Sequence, residues 1–194
     1  MSIFLIHEPR CVFIHIPKTA GTSIRKGFFK ENYSGPYHDG IPDDWADAFS
    51  FAFVRNPYDR IISSWKMFTS GTDEFKGTFP PLPLKAFLEI VTNDAIPHTA
   101  GSTNYPELVR HHTLPLTHPA NHLDKAQFIG RMENLEADFA SICEEIGAEY
   151  APLNKRQFTQ RRADFQSYYC PETKKIVSEY FRDDFDRLNY SWDI

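Results

Sequence analysis

Apolar positions in the first third of the chain come in short unbroken runs. "CVFIHI" (11–16) is β-branched and aromatic and stops at Pro17, while "FAFV" (51–54) stops at "RNP"; both predict buried strands. From Ser23 the period becomes helical, with Ile24, Phe28 and Phe29 on one side and Arg25, Lys26 and Lys30 on the other. Asn56 is placed to cap a second helix, with Pro57 at its first position and Tyr58, Ile61, Ile62 and Trp65 toward a core. "FPPLPLKAFLEIV" predicts a proline-led helix near 83–91, and "AQFIG" (126–130) a third strand. Leu135, Phe139, Ile142 and Ile146 then line a helix capped by Asn134 and ended by Gly147. A last helix runs from about Pro171 to Leu188, where Asp184 interrupts the stripe of Val177, Tyr180, Phe181 and Leu188.

Two stretches resist this reading. Residues 31–50 are turn-rich, and 69–126 are irregular, with four prolines and five histidines between Asn93 and Leu123. The second is read as a functional, acceptor-binding region with short helices at most. Strand, loop and helix in alternation predict one α/β domain over 1–194: a P-loop-like parallel sheet flanked by helices.

Composition narrows the function. With 194 residues and 41% hydrophobic positions the chain can bury a core, and a net charge of −5 argues against a nucleic-acid binder. Any anion site must be built locally, against the average charge. Cys11, Cys143 and Cys170 lack metal-like spacing and suit reduced thiols, and "MSIFLIHEPR" predicts neither signal peptide nor membrane anchor. The expectation is a cytoplasmic protein.

The candidate chemistry lies in two loops. "HIPKTAGTS" (15–23) joins a strand to a helix, so it falls at the carboxyl edge of the sheet, where the helix N-terminus favours anions. Gly21 allows close backbone approach, Lys18 brings a full charge, and Thr19, Thr22 and Ser23 bring hydroxyls. The order differs from a Walker loop, whose lysine follows the second glycine. The plainer alternative is a polar turn capped by Ser23. In "FAFVRNPYDRIISSW" (51–65), Arg55 ends the second strand at the same edge and Ser63 lies within two turns of the next helix start. Arg60 is better placed for Asp59 or an incoming loop. Two anion-ready strand ends fit a ligand with two separated phosphates.

These paired motifs closely resemble the 3′-phosphoadenosine 5′-phosphosulfate (PAPS)-dependent sulfotransferases, in particular the carbohydrate group that includes heparan and chondroitin sulfotransferases (sulfotransferase family 2-like). "FIGRMENLEADFASICEEIG" and "YYCPETKKIVSEYFRDDFDRLNY" extend the resemblance to about 11–190. It implies that Lys18, Thr19, Gly21, Thr22 and Ser23 bind the 5′-phosphosulfate and that Arg55 and Ser63 bind the 3′-phosphate. Lys18 then also stabilises charge on the departing phosphate, with no metal required and 3′-phosphoadenosine 5′-phosphate as product. Relatives often carry a histidine between the two motifs, which here is His38 in "GPYHDG". It is the expected general base toward a hydroxyl acceptor, a saccharide or glycoconjugate, with Asp39, Asp43 and Asp44 as alternatives toward an amine. At 194 residues the chain departs from the animal members of that group, and the expectation is a compact form without their membrane anchor and stem. Leu116 stands where relatives tend to have a polar residue.

Other residues keep two readings each. Arg131, at the end of the third strand, either reaches the cofactor or pairs with Glu133. His98, His111, His112, His118 and His122 fit substrate loops better than a metal, because Pro119 breaks the His118–His122 spacing. Lys155, Arg156, Arg161 and Arg162 either contact an anion or form a solvated loop, and Tyr168 and Tyr169 either line a site or pack in the core. Competing functions are a small-molecule or nucleotide kinase, and a nonenzymatic nucleotide-binding module.

Overall fold

The computed structural model describes residues 2–30, 32–71, 81–153 and 165–194. The chain divides into two compact units, Met1–Arg55 with His118–Thr159, and Asn56–Thr117 with Gln160–Ile194.

The first unit is built on a five-stranded sheet: β1 (Ser2–Ile6), β2 (Cys11–His15), β3 (Tyr33–Tyr37), β4 (Ser50–Val54) and β5 (Phe128–Arg131), in the order β3-β1-β2-β4-β5. β2, β4 and β5 are parallel, as their continuous apolar runs require. The sheet is nevertheless mixed. β1 pairs antiparallel with both β2 and β3, adding two strands that the hydrophobic pattern did not announce. Phe4, Ile6, Cys11, Phe13, Phe51 and Phe53 form one face. Packed on it are Ile24 and Phe29, from and just after a short π-helical segment (Ser23–Phe28), and Phe139, Ile142 and Cys143 of a longer helix. Phe13 and Phe51 stack at 5.1 Å and Phe28 meets Phe139 edge-on at 4.8 Å, so aromatic packing carries much of this core. The alternate residues Ile3, Leu5, Val12, Ile14, Ala52 and Val54 are buried too.

The second unit is helical: α1 (Pro57–Lys66), α2 (Leu84–Val91), α3 (Tyr105–Thr113), and, after α4 (Leu135–Glu145) of the first unit, α5 (Pro171–Tyr180) and α6 (Arg182–Arg187). The Asn56 carboxamide caps α1, accepting from the Tyr58 and Asp59 amides at 2.9 and 3.4 Å, with Pro57 in the first turn. Asn134 occupies the cap position of α4 but its side chain does not cap; it donates to Asp138, one turn on, at 2.6 Å. The predicted last helix is two, divided at Phe181, which leaves the helical region (ψ 23°). α3 arises within the stretch read as loop, capped by Asn104 with Pro106 in its first turn.

Two buried ions organise the second unit. Arg60, 1% exposed, donates to the carbonyls of Leu114 (2.7 Å) and His112 (3.3 Å), the incoming-loop partner expected of it. Asp184, fully buried, accepts from the backbone amides of Leu116 and Thr117 (2.7 and 2.8 Å) and from the Thr117 hydroxyl (2.8 Å). The polar interruption of the terminal stripe is therefore a tie to the segment following α3.

Candidate active site

The register fixes which chain segments share an edge. Ser2 pairs with His15 and Ile6 with Cys11, while Ile3 pairs with Tyr37 and Ile6 with Tyr33. β3 therefore runs in the same direction as β2, and β4 and β5 run parallel to it as well. The carboxyl ends of four strands meet at one edge, carrying the 16–22 loop, His38, Arg55 and Arg131. β3 lies two strands from β2, about 10 Å at ordinary strand spacing.

The first loop is tightly wound. Lys18 and Ala20 both have left-handed backbones, φ 70° and 69°. For non-glycine residues this costs roughly 1–2 kcal/mol each and persists where surroundings enforce it. Three contacts do so. The hydroxyl of fully buried Thr19 donates to the Ile16 carbonyl at 2.7 Å and closes the turn. Ala20 accepts the Ile24 amide at 3.1 Å, starting the helix. Arg55, 8% exposed, donates from Nη1 to the Lys18 carbonyl at 3.2 Å.

Gly21 is buried, and a Cβ there would lie 1.9 Å from Nε2 of His15. The imidazole at the end of β2 fills that space, beside Phe13 and Phe4. Only a residue without a side chain lets the helix start against it. Thr22, rather than Ser23, holds the cap position, and its side chain makes no capping bond.

His38 follows β3 directly and is exposed; its carbonyl lies 3.0 Å from Nε2 of His122. Asp44 is drawn elsewhere: its carbonyl accepts from Arg10 at 2.6 Å, in the β1–β2 turn at the opposite edge, and Asp43 shares its short helix. That leaves Asp39 as the carboxylate beside His38 in sequence. The Arg131 amide donates to Asp138 at 2.6 Å, fixing the end of β5. Ser63 is half-buried on α1.

The remaining candidates separate. Tyr169 donates its hydroxyl to the Tyr58 carbonyl at 2.8 Å and packs against that ring, a structural role; burial raises it well above the ordinary tyrosine value. Tyr168 is 40% exposed under the Lys66 ammonium, 4.1 Å from its ring centre. The rings of His111 and His112 lie against the carbonyls of His98 and Leu108, and His118 accepts from the Ala120 amide. Among the described residues no group of three or more His, Cys, Asp or Glu is placed to hold a metal. Lys155, Arg156, Arg161 and Arg162 lie outside the described residues.

The strand-to-helix loop wound around Lys18 is thus tied to an arginine from the neighbouring parallel strand. The model described as "Sulfotransferase family" matches residues 2–191. The chain belongs to the sulfotransferase family. No curated protein and no solved structure matches it. Membership makes this sulfotransferase an enzyme of sulfuryl transfer, with a sulfate donor and a hydroxyl acceptor as the family's reactants. No helix among the described residues is long and apolar enough to cross a membrane.

Proposed function

We propose that this sulfotransferase transfers the sulfuryl group of PAPS to a hydroxyl of a saccharide or glycoconjugate by in-line displacement. The observation that carries the reading is the bond from Arg55 to the Lys18 carbonyl, which joins the two anion motifs into one structure. The turned backbone at Lys18 and Ala20, in a loop that leads into a helix, suits a phosphate held by backbone N–H groups. In this reading Lys18, Thr19, Gly21, Thr22 and Ser23 hold the 5′-phosphosulfate, Arg55 and Ser63 the 3′-phosphate, and Arg131 bounds the site on the β5 side.

His38 takes the acceptor's hydroxyl proton as the new O–S bond forms. The S–O bond to the phosphate breaks, its electron pair stays on the phosphate oxygen, and the Lys18 ammonium stabilises that charge more in the transition state than before it. A general base of this kind contributes about 100- to 10,000-fold.

Calorimetric titration with 3′-phosphoadenosine 5′-phosphate, against ADP and against ATP with magnesium at fixed salt, tests the donor assignment. Binding that requires the 3′-phosphate and weakens in Arg55→Ala is the expected result. Preference for ATP with magnesium would replace it with the kinase reading. His38→Ala should lose turnover and keep nucleotide affinity; undiminished turnover removes His38 from the role.

A further inference from the structure

We propose that His122 is a positioning residue for His38: its imidazole holds the residue-38 backbone and so fixes where the His38 ring stands. The inference rests on the assignment of His38 as base. β3 is an edge strand with β1 as its neighbour, and beyond it the chain turns through Gly40 at φ 135°. An edge strand running into such a turn frays readily. Across 84 residues of sequence, Nε2 of His122 meets the His38 carbonyl at 3.0 Å. A carbonyl only accepts, so the proton of the His122 ring is on Nε2.

The segment carrying His122 is built to hold that ring still. His122 has a left-handed backbone (φ 52°, ψ 26°) between two short 3₁₀ turns, Pro119–Asn121 and Leu123–Lys125. Its amide donates to the Pro119 carbonyl at 3.0 Å, and its carbonyl accepts from Lys125 at 3.0 Å. The His118 ring closes the first turn by accepting from the Ala120 amide at 3.1 Å, while Asn121 and Leu123 are buried on either side. The far end is pinned to β4. The Ser50 hydroxyl donates to the Lys125 carbonyl at 2.7 Å, and Gln127 exchanges bonds of 2.9 Å with the Ser50 backbone in both directions. A strained residue in so fixed a frame has its side chain aimed, and this one is aimed at the residue that carries the base.

The test uses the full chain with ¹⁵N,¹³C-labelled histidine, as wild type, His122→Leu, His122→Gln and His38→Ala. Glutamine keeps an N–H donor at similar reach, and leucine removes it at similar size. In wild type the His122 ring should show the Nε2–H form, and His38→Ala should leave it so, because the carbonyl remains. His122→Leu should move the His38 ring resonances toward free-histidine positions, and His122→Gln should hold them. Unchanged His38 resonances in His122→Leu, or a His122 ring protonated on Nδ1 alone, overturn the proposal. PAPS consumption, measured with a heparosan oligosaccharide and with water as acceptor, adds the functional arm. His122→Leu should lower kcat by about 10- to 100-fold, the scale of a catalytic group misplaced by about an ångström. Affinity for 3′-phosphoadenosine 5′-phosphate should stay within about twofold, and His122→Gln should recover most of the rate. Equal loss in the leucine and glutamine variants also overturns the proposal. If His38→Ala consumes PAPS like wild type while the resonance changes occur as stated, the base assignment fails and the tether stands.

Discussion

Gly21→Ala adds one methyl group where the structure has no room for it. The new Cβ would stand 1.9 Å from Nε2, 2.0 Å from Cδ2 and 2.9 Å from Cε1 of His15, where ordinary contact begins at 3.4 Å. The ring must retreat by more than an ångström, and Phe13 and Phe4, with ring centres at 5.7 and 6.0 Å, stand beside it. Overpacking of this kind costs about 1–3 kcal/mol. In a chain of this length each kcal/mol lowers Tm by roughly 2–4 °C. If the strain is instead released by displacing the loop, the same energy appears as a loss of about 5- to 150-fold in affinity for 3′-phosphoadenosine 5′-phosphate. Scanning calorimetry and nucleotide titration on wild type, Gly21→Ala, His15→Ser and the double variant separate the routes. The double variant should recover most of what Gly21→Ala loses, because the serine vacates the space the methyl needs. Additive losses, or a Gly21→Ala protein with unaltered Tm and affinity, would refute the claim that His15 shapes the loop.

Burial pushes the Asp184 carboxyl above its ordinary 3.8, outweighing its backbone donors and the Arg60 charge, so the native state binds this proton more tightly than the unfolded chain. Its contribution to stability is full below pH 3.8 and declines as pH rises through the native pKa. The urea-midpoint difference between wild type and Asp184→Asn should therefore fall as pH climbs from about 4, and a rising difference would contradict the sign. Arg60→Leu should destabilise by about 3 kcal/mol or more, since it removes the donor to the buried Leu114 carbonyl and the half-buried His112 carbonyl and pushes Asp184 further up; a urea melt checks it. Burial raises the Cys11 and Cys143 thiols to about 12 and about 11, whereas hydrogen bonding from Thr173 lowers that of exposed Cys170. Iodoacetamide on the native protein should label Cys170 first, and mass spectrometry of the digest would expose any other order.

The parallel strands were legible because burial on both faces makes their runs continuous, and Asn56-Pro57 marked its helix start because cap and first turn are local chemistry. β3 was not, because "YSGPY" holds a glycine and a proline, and its pairing with β1 overrides that local preference. Asp184 was visible as an anomaly, yet its partners lie 67 and 68 residues away, beyond any periodicity. At the site, the sequence put Lys18 and Arg55 at one edge, as β2 and β4 do, but gave no hint of the bond between them. In sequence Thr19 counts among the hydroxyl donors of the loop; in the structure that hydroxyl donates to the Ile16 carbonyl. His122 stands in sequence only among the loop histidines, since its contact with His38 depends on two turns folding first.

The bond from Arg55 to the Lys18 carbonyl makes the two loops a single mechanical part. An arginine occupied by the backbone of its neighbour is already oriented before any ligand arrives, so its rotamer entropy is spent during folding rather than at binding. A ligand touching either loop alone would meet a partner whose stiffness is set by the other. Halves of such a ligand should bind with affinities that do not multiply to that of the whole, and natural variation at position 55 would be constrained by the shape of a loop 37 residues earlier as much as by charge.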